Sequence, residues 1–168
     1  LIILNELRSV SSGLIQQLIP FIHNGGSLVV LPFGRPDGPE YSALLKSFNA
    51  GSYGLLDTTD TRISYINLEH PLYSNVFDEI PENLDLPFVF QHYPIQLESR
   101  TKQETLLELQ NRGPFLSVFQ VERGKVYLFA VPFNTDFSSF TRHAIFVPTL
   151  FKIAISSVVE ETLYYSIG

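Results

Sequence analysis

Residues 21–34 read "FIHNGGSLVVLPFG". An apolar helix tail runs into Gly25-Gly26, then into a β-branched run, then into Pro32-Phe33-Gly34. Upstream, Leu14, Ile15, Leu18, Ile19 and Ile22 recur at helical spacing and form one stripe. Ser11 or Ser12 can cap a helix over Gly13 to Asn24, with a kink expected at Pro20. Asn24-Gly25-Gly26 stops it, because glycine enters the left-handed conformation without a Cβ penalty. Leu28 to Leu31 then reads as a buried strand. Leu1 to Asn5 ("LIILN") is a second continuous apolar run, expected to be a strand buried on both faces. Strand, helix, strand predicts a right-handed βαβ unit with parallel strands.

Beyond Gly34 the pattern changes. "GRPDG" (34–38) is a loop and Glu40 to Phe48 a short helix. "TRISYINLE" (61–69) and "LPFVFQHYPIQLE" (86–98) alternate like strands. "ETLLELQ" (104–110), "PFLSVFQVE" (114–122) and "GKVYLFAVPF" (124–133) follow, with turn signals at Asn111-Arg112-Gly113 and Arg123-Gly124. This half predicts an antiparallel meander, joined to the parallel part through Val126–Val131. A helix over about Phe140 to Ser157 follows, and "ETLYYS" (161–166) reads as an edge strand or a frayed tail. The expectation is one α/β domain over 1–168: a three-layer αβα, flavodoxin-like sheet with a parallel core and an antiparallel extension.

Composition narrows the function. The chain has 168 residues, 45% apolar and 17% charged, which suits one globular domain with a full core. A net charge of −6 argues against nucleic acid, whose phosphates call for a basic patch. Cysteine is absent, which excludes a thiolate nucleophile, a disulfide and Cys-ligated zinc. There is also no Met, and Leu1 falls inside an apolar run, so the chain is expected to be a piece of a larger polypeptide. Ala144 to Val159, the most apolar stretch, holds Pro148 and Lys152 and is shorter than the ~18 residues of a membrane span. It reads as a buried helix.

Candidate chemistry is sparse. His23, His70, His92 and His143 show no metal-ligand spacing. His143 follows Arg142 at an expected helix start, a place suited to anions, which makes Arg142 and His143 candidate ligand-binding residues. Arg35 and Asp37 are the others, in the loop at the carboxyl end of a parallel strand, where open α/β sheets place ligands. Ser11, Ser12, Ser138 and Ser139 lie in no G-x-S-x-G and read as helix caps. "DTTDT" (57–61) and Asp78, Glu79, Glu82 and Asp85 lack calcium-loop spacing and read as solvated acidic loops. No metal and no cofactor is expected.

"LIILNEL…SGLIQQLIPFIHNGGSLVVLPFG" followed by "ERGKVYLFAVPFN" resembles the non-catalytic branches of the class I glutamine amidotransferase-like fold. With "GSYGLLDTTDTR", "NLEHPLY", "FDEIPENLDLP" and "RHAIFVPTLFKIA", the ordered set is most similar to the amidotransferase-like domain of Bat-type (aerotolerance-operon) bacterial membrane proteins. The resemblance implies a domain facing the periplasm, with transmembrane helices outside this chain. In active amidotransferases the strand after this helix ends in a turn bearing a Cys that a His activates. Here that tip is Leu31-Pro32-Phe33-Gly34, and neither Pro nor Phe can attack a carbonyl. The resemblance thus implies a degenerate, non-catalytic module that contacts other regions of the parent protein, another envelope protein or a second copy. The alternatives are a small-ligand sensor at Phe33–Gly38, or a hydrolase using His143 or His70 with an acid and a metal. Tyr65, Phe88, Phe90, Tyr93, Phe115, Phe119, Tyr127 and Phe129 exceed what one sheet face easily buries, so an exposed aromatic patch on 86–122 is expected.

Overall fold

The computed structural model describes residues 1–73, 85–97 and 102–157. In chain order the elements are β1 (Ile2–Leu4), α1 (Ser12–His23), β2 (Ser27–Val30), α2 (Pro39–Ser47), β3 (Ser52–Tyr53), β4 (Thr61–Ile66), β5 (Phe88–Val89), β6 (Ile95–Gln96), β7 (Gln103–Leu109), β8 (Pro114–Val121), β9 (Gly124–Phe129), a 3-10 turn (Phe140–Arg142) and α3 (Phe146–Ile155). Among the described residues seven strands form one mixed sheet in the order β1-β2-β9-β8-β7-β4-β5, and β3 and β6 pair separately. β2 is parallel to both β1 and β9, while β9, β8, β7, β4 and β5 are successively antiparallel. The fold is therefore α/β with a parallel core and an antiparallel extension, joined through β9.

The Gly-Gly stop of α1 has a full physical account. Gly26 N–H donates to Phe21 carbonyl and Gly25 N–H to Ile22 carbonyl, both at 2.9 Å, which is the Schellman pattern. Gly25 takes φ +102°, and a Cβ on Gly26 would enter the Phe21 ring. At the other end Ser11 Oγ accepts from Leu14 N–H, a cap worth about 1 kcal/mol. β2 is buried throughout, as a strand between two neighbours under two helical layers must be.

The two faces of the sheet can be told apart. A Cβ on Gly124 would strike the carbonyls of Ile22 and Gly26, so α1 lies on the face to which Gly124 points. Ile3, Val29, Tyr127, Val118 and Glu104 form one cross-strand row on the other face. Val118 and Glu104 share a cleft with His70, and Tyr73, next in that turn, bonds Thr149 of α3 at 2.9 Å. Helix α3 thus covers the second face. Phe115, Phe129, Phe133, Phe140 and Phe146 pack there edge to face, with centroids 5.1 Å apart for Phe115–Phe140 and for Phe133–Phe146.

Several expectations are corrected. β1 is an edge strand, with Ile3 43% exposed, so it is not buried on both faces. Residues 86–98 do not form one strand: β5 joins β4, β6 joins β3, and between them His92 bridges Asp57. Pro87 and Pro94, which lack N–H donors, bound the pieces. The helix expected over 140–157 breaks at His143–Ile145, and α3 is not a buried helix, since Val147, Phe151 and Ile155 are exposed. Ser139 stands at the N-cap position of the 3-10 turn, but its side chain makes no capping bond; its hydroxyl accepts from Phe88 N–H at 2.9 Å instead. The expectation that some of the eight aromatics stay exposed is met by Phe88 and Phe90 on 86–122 and by Tyr65 on β4, while the other five are buried. Asp78, Glu79, Glu82 and the 161–166 stretch lie outside the described residues.

Candidate functional site

The carboxyl ends of the parallel strands converge on three tyrosines. Tyr53 is buried, and its hydroxyl is shared between the carbonyls of Phe129 (2.9 Å) and Val30 (3.3 Å), at the ends of β9 and β2. Tyr93 donates to Gly34 carbonyl at 3.1 Å, and Tyr41 to Leu7 carbonyl at 2.8 Å. Tyr41 and Tyr53 meet edge to face with centroids 6.3 Å apart. Burial pushes the phenol of Tyr41 up to about 12 and that of Tyr53 well above its ordinary value, so neither ionises near neutrality. Asn5 and Glu6, past β1, reach Phe133 N–H and the Asn134 side chain, past β9, at 3.4 Å each. The crevice where a nucleophile elbow would stand is thus lined by tyrosine hydroxyls already bonded to backbone carbonyls.

The tip itself offers no acid–base pair. Leu31 and Pro32 are buried, Phe33 is half-buried, and Gly34 turns the chain at φ +66°. Arg35 to Gly38 is a tight turn closed by Gly38 N–H on Arg35 carbonyl at 2.9 Å. Beside it is a cavity of about 220 Å³ lined by Arg8, Arg35, Gly38, Pro39, Glu40 and Tyr41. Glu40 is engaged there as acceptor for Val10 N–H at 2.9 Å. Asp37 does not line this cavity; its charge acts on Tyr93, whose phenol is raised by burial and by Asp37.

Arg142 and His143 are not brought to this place. Arg142 is exposed on the 3-10 turn. His143 Nδ1 accepts from Ile145 N–H at 3.2 Å, so the proton sits on Nε2 and is donated to Asp85 carbonyl at 2.5 Å. Both ring nitrogens are occupied in fastening the start of α3. His70 is similarly placed: Nδ1 accepts from Leu72 N–H at 3.1 Å. It faces a cleft of about 430 Å³ with Lys102, Glu104, Gln120 and Lys125. Burial lowers its pKa, outweighing the nearby charge of Glu104, which raises it.

His92 has no local sequence signal that sets it apart from the other histidines. It is 2% exposed, and its Nδ1 has no hydrogen-bond partner. Burial lowers its pKa against the opposing charge of Asp57. Both residues line a cavity of about 340 Å³ with Asp60, Gln110 and Asn111. Asp57 Oδ1 accepts from Thr59 N–H at 2.8 Å, which holds this carboxyl below its ordinary pKa. Among the described residues no group of three His, Asp or Glu side chains is placed to hold a metal ion. Arg8 was passed over, although it follows β1 much as Arg35 follows β2.

No family model matches the chain, and no curated protein matches it. Solved structures do. A ThuA-like protein from Bacteroides uniformis superposes with a TM-score of 0.65 at 12% identity, over 96% of this chain and 69% of that one. A cytoplasmic protein from Salmonella typhimurium gives 0.60 at 15% identity, over 88% of this chain and 62% of that one. A β-galactosidase from Bacillus circulans gives 0.64 at 13% identity, over 92% of this chain and 22% of that one. The chain therefore spans under two thirds of the length of the Salmonella protein and a small part of the β-galactosidase. At these identities the likeness is one of fold, and the fold is the ThuA-like, class I glutamine amidotransferase-like one. No helix among the described residues is long and apolar enough to cross a membrane.

Proposed function

We propose that the chain is a non-catalytic interaction or structural module of a larger bacterial envelope protein, a degenerate amidotransferase-like domain of the Bat type that faces the periplasm. The observation that carries this is the tip of β2. Where an acyl-transfer enzyme needs a nucleophile, a base and free N–H donors, this chain has Leu31-Pro32-Phe33-Gly34, and Pro32 lacks the N–H an oxyanion hole would use. The hydroxyls beside it, on Tyr41, Tyr53 and Tyr93, are bonded to backbone carbonyls. Incubation with glutamine should release no ammonia above a protein-free control. Saturable release would overturn the reading. Cell fractionation tests the location, with the parent protein expected in the envelope.

One observation favours a second reading, a small-ligand sensor. Arg8 and Arg35 line the same cavity, and neither forms an ion pair among the described residues. Paired guanidinium groups recognise carboxylate or phosphate. A melting temperature raised by millimolar phosphate or dicarboxylate, and no longer raised after Arg35→Gln, would support the sensor. The hydrolase reading has less support, because both ring nitrogens of His143 and Nδ1 of His70 are engaged by the backbone.

A further inference from the structure

The backbone sets His92 beside an acid, and its ring bonds to nothing. His92 and Asp57 exchange both backbone N–H to carbonyl bonds, each at 2.9 Å. Residues paired in this way across an antiparallel bridge project their side chains to the same side. The Asp57 carboxylate and the His92 ring therefore share one side of the bridge, yet no hydrogen bond joins them. Asp57 Oδ1 takes Thr59 N–H at 2.8 Å, and His92 Nδ1, on a residue only 2% exposed, is left without a partner. A buried polar atom in that condition is exceptional.

Both side chains line a cavity of about 340 Å³, with Asp60, Thr59, Gln110 and Asn111 among its other walls. Among the described residues its lining holds two carboxylates, no lysine or arginine and no aliphatic side chain. The cations next door in sequence are turned to other partners. Arg62, after Thr61, lays its guanidinium over the Phe88 ring at 5.0 Å, and Arg112, after Asn111, pairs with Glu108 at 3.9 Å. Asp57 and Asp60 thus face the cavity with no ion-pair partner among the described residues. A cation entering there makes charge-assisted hydrogen bonds, roughly twice as strong as neutral ones.

We propose that this cavity binds a small primary ammonium ion that also carries hydroxyl groups, with the carboxylates of Asp57 and Asp60 and the ring of His92 as its acceptors. The site is separate from the strand tips and from the Arg8–Arg35 cavity, which suits anions. An ammonium group has three N–H donors, enough for two carboxylates and a ring nitrogen. Its hydroxyl groups meet the Thr59 hydroxyl and the amides of Gln110 and Asn111. The rival ligands fit less well. An anion meets two carboxylates. A neutral polyol leaves both carboxylates without a counter-charge. A metal ion lacks a group of three ligating side chains among the described residues.

Proton–nitrogen correlation NMR of the whole chain, titrated with ethanolammonium chloride, tests this. The expected result is saturable shifts of the His92 ring and of the Gln110 and Asn111 side-chain amides, with a Kd of about 1–10 mM, ordinary for so small a ligand. Sodium chloride at equal ionic strength and ethylene glycol at equal concentration should give no saturable shift there. Asp57→Asn and Asp60→Asn should each weaken binding at least about tenfold. Both keep the side-chain shape, Asp57→Asn keeps an oxygen for Thr59 N–H, and the remaining resonances check that each variant is folded. Asp37→Asn, an acid outside this cavity, is the control and should leave the Kd unchanged. No saturation below about 100 mM overturns the proposal. So does an equal response to ethylene glycol or sodium, or a Kd that neither substitution in the cavity changes. Any of these results leaves the non-catalytic reading standing, because that reading falls to ammonia release.

Discussion

The parallel half of the sheet and the antiparallel half are built from similar residues but closed by different means. β8 and β9 are joined by a two-residue turn, and β7 and β8 by Gln110–Gly113, so neighbouring strands cap one another locally. β1, β2 and β9 end instead at a shared crevice, and Tyr53 ties two of those ends across a sequence separation of 76 residues. The edges follow the same division. Among the described residues β5 is bonded on its outer side by 137–139, and β1 is the other edge of the sheet. In this fold the carboxyl ends of parallel strands are where ligands bind. Here Tyr41, Tyr53 and Tyr93 each bond a backbone carbonyl at those ends.

The comparison can be broken at the seam. Phe129 ends the shared strand and packs on Phe115, Phe133 and Phe140. Phe129→Ala should cost about 3–5 kcal/mol in urea unfolding, with both halves lost in one transition. Two separate transitions would mean the halves are independent. Gly124→Ala pushes a methyl into the α1 terminus and should cost about 2–3 kcal/mol, since the atoms it meets are backbone carbonyls.

Two tyrosines sharpen the contrast. Tyr53→Phe leaves the carbonyls of Phe129 and Val30 without their donor and should cost about 1–3 kcal/mol. Tyr127 is fully buried, its hydroxyl has no partner, and burial raises its phenol to about 12. Tyr127→Phe should therefore raise stability by about 1 kcal/mol, the reverse sign for the same chemical change. Equal effects would show that the Tyr53 hydroxyl does not hold the strand ends.

Acid provides a further test. His92 and His70 have folded pKa values below the unfolded value of about 6.5, both through burial. Above that pH neither state binds the proton. As pH falls below it, the unfolded chain takes up protons that the folded chain refuses, and stability drops until the folded pKa values are passed. The urea midpoint should fall between pH 7.5 and 5.5, and His92→Gln should flatten that slope. The smallest effect belongs to Phe88, exposed and stacked under Arg62 at 5.0 Å. Phe88→Ala should change stability by no more than about 0.5 kcal/mol.

The parallel half was the more legible in sequence. The helix stripe, the Ser11 cap and the Gly25-Gly26 stop are local signals, and each corresponds to an observed hydrogen bond or close approach. The residue types at the tip, Leu31-Pro32-Phe33-Gly34, are read directly from the sequence and include no nucleophilic side chain. Long-range partners were not legible. Nothing around Tyr53 announces that its hydroxyl reaches Phe129, nor around Ser139 that it serves Phe88 instead of a helix. The 86–98 alternation looked like one strand because period 2 does not reveal that the pieces join different partners. The apolar run of α3 suggested burial, yet one flank of that helix is exposed.

The central claim, that the strand tip is chemically inert, is tested most directly by intact-mass spectrometry of the chain after exposure to an electrophilic glutamine analogue and to a fluorophosphonate. The account predicts unmodified protein with both reagents. A single stoichiometric adduct mapped to residues 31–38, or to Tyr41, Tyr53 or Tyr93, would contradict it.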